Sequence, residues 1–145
     1  MILKTIYHAG ASSEIDLIEK QNAVLVEEGW KITFDWTIPV RKAGSGSPDD
    51  KDIRRSAALA DLEGVVMADV VWISQPEGSS TSTGVWVELG YALAKREYKG
   101  GTHGPKIVVS GTSMKCIFAD LADFRFMSHE DALDFIIKDL GRSRG

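Results

Sequence analysis

The amino-acid sequence predicts an α/β fold, and three observations lead to this prediction. Short runs rich in β-branched residues alternate with amphipathic segments, the loops between them carry glycine or proline, and 145 residues suffice for one domain. Because strands that alternate with helices run parallel, we expect about five parallel strands with helices on both faces of the sheet. The simplest version is a flavodoxin-like, or Rossmann-like, sandwich that occupies residues 1–145 as a single domain.

The first part of the chain predicts a strand followed by a helix. Ile2–Ala9 is rich in β-branched and aromatic residues and indicates a buried strand. A helix is expected over residues 12–29, with Ser12 or Ser13 as its N-cap and Gly29 as its C-terminal stop. Its expected apolar stripe, which Asn22 and Ala23 interrupt, consists of Ile15, Ile18, Val24 and Leu25.

A second strand, a loop and a second helix are predicted next. Trp30–Trp36 has the composition of a strand. Residues 37–50 contain two prolines and two glycines, and they predict a long functional loop. Residues 50–68 predict a helix, whose apolar positions are Ile53, Ala57, Ala60 and Leu62.

The second half of the chain continues the alternation. A buried strand is predicted at Asp69–Ser74, and the apolar segment that follows loop 75–83 predicts a helix over residues 84–94. Segment 112–123 has no assigned structure. The remaining predicted elements are a strand at 106–111, a strand at 124–127 and a helix at 128–141, which Ser128 caps and Gly141 ends.

Composition and charge exclude several classes of function. The net charge of −4 argues against a nucleic-acid polymer as partner. The single cysteine, Cys116, excludes an internal disulfide and a cysteine-rich zinc site, and no metal-ligand spacing is present. No apolar run approaches the roughly 20 residues of a membrane span, and the N-terminus lacks the layout of a signal peptide. We therefore expect a cytoplasmic protein that uses no metal or cofactor.

Glu88 is the unusual residue of the 84–94 helix, because its surroundings are apolar. The residues one helical turn away from it are Gly84, Val85, Tyr91 and Ala92, and none of them is a cation. Burial of an unpaired carboxylate is costly, so such a group has either a function or a partner in a loop. Asp61 also lies among small and apolar residues, and it is either a solvated helix residue or a functional carboxylate.

Two segments in register resemble a known family. DLEGVVMADVVWIS places Asp61 eight residues before Asp69, and STGVWVELGYALA follows a loop and carries Glu88 in a Gly-x-x-x-Glu-Leu-Gly-Tyr-Ala pattern. The first strand contains Tyr7 shortly before an Ala-Gly pair. This arrangement resembles the nucleoside 2-deoxyribosyltransferase superfamily, which includes the nucleoside 5′-monophosphate N-glycosidases. The resemblance covers residues 1 to about 110.

The resemblance implies cleavage of a glycosidic bond at the sugar C1′. Glu88 would be the nucleophile that expels the base and forms a glycosyl–enzyme ester, which water or a second base resolves. Tyr7 would hold Glu88, and Asp61 would contact the base and assist its departure. The partner would be a small nucleoside or nucleotide. Members of the family are homo-oligomers, and Trp86 with its helix would suit a subunit interface.

Ser82 bears on the choice of substrate. Six residues before the glutamate, the transferases have an aspartate for the sugar 5′-hydroxyl, whereas the monophosphate hydrolases have a serine that faces a phosphate. The serine here slightly favours a nucleotide. The first-loop arginine of the hydrolases is missing, and the basic residues that would replace it, or that are simply solvated charges, are Arg41, Lys42, Arg54 and Arg55.

Other candidate residues lie where the carboxyl ends of the strands should bind ligand. His8 faces either the site or the core, and Trp36 or Trp86 either stacks on a base or packs in a core or interface. The further residues expected to bind substrate are Gly10, Ser12, Ser13, Asp35, Trp36 and Gly84.

Three functions remain open at this point. The first is cleavage of the N-glycosidic bond of a nucleoside or nucleoside 5′-monophosphate, by hydrolysis or by transfer. The second is a nucleotide-sensing module without turnover. The third is cleavage of a larger nucleotide such as NAD, for which the predicted loop over residues 36–50 would leave room.

Overall fold

Five parallel strands form one sheet in a computed structural model of the chain, which describes residues 4–44, 50–77, 83–98, 104–112 and 116–141. The strand order is β2-β1-β3-β4-β5. The strands are β1 (Thr5–Ala9), β2 (Lys31–Ile32), β3 (Val70–Ser74), β4 (Lys106–Ser110) and β5 (Phe124–Phe126).

Five α-helices connect or follow the strands. Two short 3₁₀ turns lie at Ser12–Glu14 and Ile117–Leu121, and a π-helical turn, Ile136–Leu140, extends the last helix. The α-helices are α1 (Ile15–Glu27), α2 (Thr37–Ala43), α3 (Lys51–Met67), α4 (Gly84–Tyr98) and α5 (His129–Phe135). The predicted α/β class, the flavodoxin-like strand order and the helices on both faces are confirmed.

Alternate residues of the central strands point into two separate cores, as the period of two in a strand requires. One core contains side chains of β1, β3 and β4 packed against α3 and α4, and Tyr7, Val71 and Val109 belong to it. The other core lies on the α1 and α5 side and contains Ile6 and Trp72. The strand order reverses between β1 and β3, so the carboxyl ends of these two strands mark the expected ligand crevice.

Local signals of helix ends agree with the structure at four places. Gly29 has a φ of 91° after α1, and the N–H of Trp30 donates to the Leu25 carbonyl at 2.9 Å, which is a Schellman C-cap. Ser128 accepts from the Asp131 N–H at 2.9 Å and caps α5, and Gly141 follows the π-helical turn that extends α5. Asp50 caps α3 in the same way.

The N-cap prediction for the first helix is wrong. The cap positions fall on Ala11, ahead of the 3₁₀ turn, and on Glu14, ahead of α1, and neither has a side-chain capping bond. Ser12 and Ser13 are themselves the first residues of that 3₁₀ turn. A residue within the turn cannot occupy the extended cap conformation, so both serines remain exposed on the surface.

The predicted strand Trp30–Trp36 and the loop after it are also wrong in part. Pairing with β1 stops after Ile32, and the chain turns into α2 where a long loop was expected. The cause is Asp35, whose carboxylate accepts hydrogen bonds from the N–H and the hydroxyl of Thr37 and so starts the helix. Pro39 lies in the first turn, where a missing N–H has no cost.

Two apolar stripes differ from their predicted positions. In α1 the buried residues are Ile18, Gln21, Asn22 and Leu25, whereas Val24 is 38% exposed. Asn22, which looked like an interruption, is buried because it has a partner on β1. In α3 the predicted core residue Ile53 is 56% exposed, since residues 51–59 precede the part of the helix that covers the sheet.

Candidate functional site

Tyr7 lies in the middle of β1 and points toward α3 and α4. Its side chain is completely buried, and its hydroxyl forms no hydrogen bond of good geometry with a described residue. A buried hydroxyl without a partner is unfavourable, so this position costs stability unless something else compensates.

Glu88 reaches the same place from the second turn of α4. Its side chain is 9% exposed, and Oε2 is buried without a hydrogen-bond partner among the described residues. The other oxygen, Oε1, would lie 3.8 Å from a Cβ built on Gly84, so it faces the first turn of the helix. Burial raises the pKa of Glu88 from 4.5 to about 7.

Asp61 approaches from α3 and completes a cluster with Tyr7 and Glu88. Its side chain is half-buried, and burial raises its pKa from 3.8 to about 6. Asp61 is therefore not a fully solvated helix residue, and its functional role stays a prediction. We call Tyr7, Asp61 and Glu88 the carboxylate cluster.

The three members of the carboxylate cluster act on one another. Burial, and then the charges of Glu88 and Asp61, raise the pKa of Tyr7, so its hydroxyl stays protonated. The hydroxyl in turn favours ionisation of both carboxylates and lowers their pKa values somewhat. None of these contacts has both the distance and the angle of an ordinary hydrogen bond.

This arrangement can perform nucleophilic and acid–base chemistry together. Because the pKa of Glu88, about 7, lies above that of Asp61, about 6, the form with Glu88 ionised as a nucleophile and Asp61 protonated as a general acid is a minor one near neutral pH. Two carboxyl groups with raised pKa values in one largely buried place are typical of catalytic sites. Among the described residues, no group of side chains has the makings of a metal site.

Most residues expected to bind substrate lie at the same edge of the sheet. Gly84 begins α4 beside Glu88, and Gly10 follows β1, where a Cβ would lie 2.2 Å from Cδ1 of Ile18. Ser12 and Ser13 are exposed on the adjacent 3₁₀ turn. Ser82, on which the preference for a nucleotide depends, lies outside the described residues.

Asp35 and Trp36 have structural partners. Asp35 holds the start of α2 through Thr37. Trp36 is 8% exposed, packs in the core beside Tyr7, and donates its indole N–H to the His8 carbonyl at 2.8 Å. Both residues therefore have an identified role in the fold, and their contact with substrate stays a prediction. Trp86 is half-buried at the edge of the same core.

His8 lies in the core and points away from the carboxylate cluster. It stacks on Trp72 with the ring centroids 3.8 Å apart. Its Nδ1 lies 3.0 Å from Asn22 Oδ1 and its Nε2 lies 2.7 Å from Ser74 Oγ, so both ring nitrogens have partners. Burial lowers the pKa of His8 to about 3 and keeps the ring neutral.

A second polar group lies near the carboxyl end of β4. His129 Nδ1 is 2.6 Å from Ser110 Oγ, and its Nε2 is 3.8 Å from Glu77 Oε1. Glu14 belongs to the same neighbourhood, since its pKa is raised by burial and by Glu77 and lowered by His129.

The basic residues proposed to replace a missing arginine are dispersed. Arg41 forms ion pairs with Asp16 and Glu19 of α1, and these pairs raise its pKa. Arg54 and Arg55 lie on the exposed first half of α3. Arg41 is therefore already engaged at the surface between α1 and α2.

Gly64 contacts the cluster and was not among the predicted site residues. It is buried in α3, three residues after Asp61, against the ring of Tyr7. A glycine inside a helix one turn from a candidate acid is a signal that the sequence does contain.

Comparison with known proteins adds no family assignment. No protein-family model matches the chain, and the curated proteins contain no significant match to it. Among the described residues, no helix is both long and apolar enough to cross a membrane.

Proposed function

We propose that this protein cleaves the N-glycosidic bond of a nucleoside or nucleoside 5′-monophosphate with Glu88 as the nucleophile. The observation that carries the proposal is the buried carboxylate of Glu88, unpartnered at Oε2, beside the protonated Tyr7 hydroxyl and the half-buried Asp61. The resemblance of the segments around these three residues to the nucleoside 2-deoxyribosyltransferase superfamily supports the same reaction.

The proposed reaction has two displacement steps. Ionised Glu88 attacks C1′, the bond from C1′ to the base nitrogen breaks, and the protonated Asp61 gives its proton to the base, which leaves neutral. A glycosyl ester of Glu88 remains. Water, or a second base, then attacks C1′ while Asp61 takes up its proton, and Glu88 is released as a carboxylate.

The environment of Glu88 suits this chemistry. A carboxylate with poor solvation is a better nucleophile, and no cation among the described residues pairs with Glu88, which leaves its charge available to the developing positive charge at C1′. The Tyr7 hydroxyl is placed to donate to whichever carboxylate oxygen is not attacking. The cluster therefore provides an acid, a nucleophile and a positioning group without a metal or cofactor.

We also propose further features of the substrate and the location of the protein. The exposed hydroxyls of Ser12 and Ser13 follow β1 at the ligand edge and are suited to a phosphate. The NAD alternative loses its structural argument, because α2 occupies residues 37–43 of the predicted loop. We propose a cytoplasmic location, because the single free cysteine and the lack of a long apolar run suit that compartment.

We also propose that the chain assembles with copies of itself. Val87 and Tyr91 are 62% and 42% exposed and lie one turn apart on the outer face of α4. An apolar face of this kind on the helix that carries Glu88 agrees with the homo-oligomers of the resembled superfamily. Light scattering of the native chain and of Val87→Glu would test it, with a reduced mass expected for the variant.

The experiment that tests the function is release of free base. The protein is incubated with nucleosides, nucleoside 5′-monophosphates and NAD, with and without an acceptor base, and products are separated by chromatography. We expect base from a nucleoside or monophosphate, and none from Glu88→Ala. Binding without base release from any substrate would favour the sensing module, and full activity of Glu88→Ala would overturn the mechanism.

A further inference from the structure

Gly64 occupies a position in α3 that no other residue can take without movement. A Cβ built on it would lie 2.8 Å from Cδ2 of Tyr7, 2.9 Å from Cβ of Phe34 and 3.1 Å from Cε2 of Tyr7. Carbon atoms not bonded to each other prefer separations of about 3.5–4.0 Å. The backbone of α3 can therefore lie this close to the Tyr7 ring only because residue 64 has no side chain.

The same turn of α3 carries Asp61. Residues three apart on a helix share a face, so the turn that contacts the Tyr7 ring through Gly64 also presents Asp61 to the Tyr7 hydroxyl. The Thr33 hydroxyl donates to the Gly64 carbonyl at 2.7 Å and holds this turn to the chain that leaves β2. The separation of α3 from β1 thus sets the separation of Asp61 from Tyr7.

We propose that Gly64 is a positioning residue that places Asp61 in the carboxylate cluster by allowing α3 to contact the Tyr7 ring. This inference rests on the proposed function, since it gives Asp61 a reaction to assist. It assigns to Gly64 a role that acts through Asp61, without contact between Gly64 and the substrate.

The expected cost of a side chain at this position follows from the geometry. A methyl group on Gly64 needs roughly 0.7 Å more space to reach ordinary contact with the Tyr7 ring. Either α3 moves outward or the ring moves away, and both changes separate Asp61 from the Tyr7 hydroxyl. Because misplacement of a catalytic group by about 1 Å costs up to ~100-fold in rate, we expect kcat to fall roughly 10- to 100-fold with KM little changed.

The test compares Gly64→Ala with Ala58→Gly, which weakens the exposed half of the same helix without entering the cluster. Base release gives kcat and KM, and carboxyl carbon NMR gives the pKa of Asp61. The position of α3 sets both the burial that raises the pKa of Asp61 and the Tyr7 contact that lowers it, so this pKa should depart from about 6 in Gly64→Ala. Ala58→Gly should lose stability and keep both kcat and the pKa of Asp61.

A rescue variant separates positioning from general damage. Asp61→Glu in the Gly64→Ala background extends the carboxylate by one methylene and should recover part of kcat, whereas Asp61→Glu alone should lower it. If Gly64→Ala does not fold, the same change is made in Tyr7→Ala, where it should be tolerated better because two of the three close contacts are gone. A folded Tyr7→Ala protein that Gly64→Ala still unfolds would overturn the proposal.

The NMR measurement needs no substrate, so the inference and the proposed function can fail separately. An unchanged pKa of Asp61 in folded Gly64→Ala overturns the inference even if the enzyme is active. A changed pKa of Asp61 in a protein that releases no base supports the geometric role of Gly64 while the proposed function fails.

Discussion

Tyr7 and His8 are neighbours on β1, and they point into opposite environments. Both side chains are buried. His8 has a hydrogen-bond partner on each ring nitrogen and a stacked Trp72, whereas the Tyr7 hydroxyl faces two carboxylates and forms no hydrogen bond of good geometry with a described residue. His8 itself is a fully satisfied polar residue, and such residues stabilise a fold. The Tyr7 side leaves polar atoms unpaired, which costs stability and is typical of a site built for a ligand or a reaction.

The difference teaches that burial alone does not identify a functional polar residue. His8 has a strongly lowered pKa and ends a strand at the ligand edge, yet each of its polar atoms is already used. Glu88 has a raised pKa and a buried oxygen that no described residue satisfies. Glu88 differs from His8 because one of its buried oxygens lacks a hydrogen-bond partner among the described residues. Substitutions at the two residues should reveal this difference.

The largest effect is expected at Glu88. Replacement by glutamine removes the nucleophile, so base release should fall by a factor on the order of 10⁴ or more. The same change removes a buried charge, and the free energy of unfolding at pH 8 should rise by about 2 kcal/mol. Activity assays and urea denaturation measure the two effects.

Glu97→Gln is the matched control, since Glu97 is exposed on the same helix and should alter neither quantity. A Glu88→Gln variant that is both less stable and fully active would show that Glu88 has a structural partner. Glu88, like His8, would then be a polar residue whose hydrogen bonds are satisfied.

The next effect concerns the pH dependence of the reaction. Ionised Glu88 and protonated Asp61 are required together, so kcat/KM should be bell-shaped with its maximum between pH 6 and 7. The two groups are coupled, so the apparent pKa values of the acid and alkaline limbs describe the pair and not one residue. Asp61→Asn should lower the maximum roughly 100-fold and abolish the alkaline limb. The acid limb of Asp61→Asn should then report Glu88 alone, whose pKa the Asp61 charge no longer raises.

Retention of the alkaline limb in Asp61→Asn would assign the proton donor to another group. A profile that is flat from pH 5 to 8 in the native protein would contradict the raised pKa values of both carboxylates. These kinetics are measured at substrate concentrations well below KM, where the rate reports the free protein.

The smallest effect is the opposite pH dependence of stability on the two faces. The pKa of Glu88 is higher in the folded state, so its contribution improves as pH falls from about 7 to 4.5. The pKa of His8 is lower in the folded state, so its contribution is lost as pH falls from 6.5 toward 3. Between pH 6.5 and 5 each contribution changes by about 2 kcal/mol, in opposite directions.

Two variants separate these contributions in urea denaturation at pH 5, 6 and 8. Glu88→Gln should make acidification more destabilising, because the loss at His8 is no longer offset. His8→Gln, although less stable throughout, should become relatively more stable on acidification over the same range. Identical pH dependence in both variants would show that neither group titrates abnormally in the folded state.

Sequence features that act locally were predicted well. Strands β3 and β4 depend on a few neighbouring residues. The same holds for the end of α1 at Gly29 and for the N-cap of α5 at Ser128. The isolation of Glu88 could also be predicted, because helical spacing alone determines which side chains lie one turn away.

Features that depend on distant partners could not be predicted in the same way. Asn22 is buried because His8 lies on a strand 14 residues earlier, and only the fold brings the two together. The role of Gly64 depends on the Tyr7 ring across the core. The helix α2 depends on Asp35 turning its carboxylate onto Thr37 when an extended strand was the competing conformation.

The most direct test of the account is the pKa of Glu88 in the folded protein, measured by carboxyl carbon NMR with Glu88→Gln to assign the resonance. The measurement requires no substrate and reports whether this carboxylate is buried and unpaired. We predict a pKa of about 7, against 4.5 for an ordinary glutamate. A value at or below 4.5 would show a solvated or paired carboxylate and would contradict the difference between the two faces of β1.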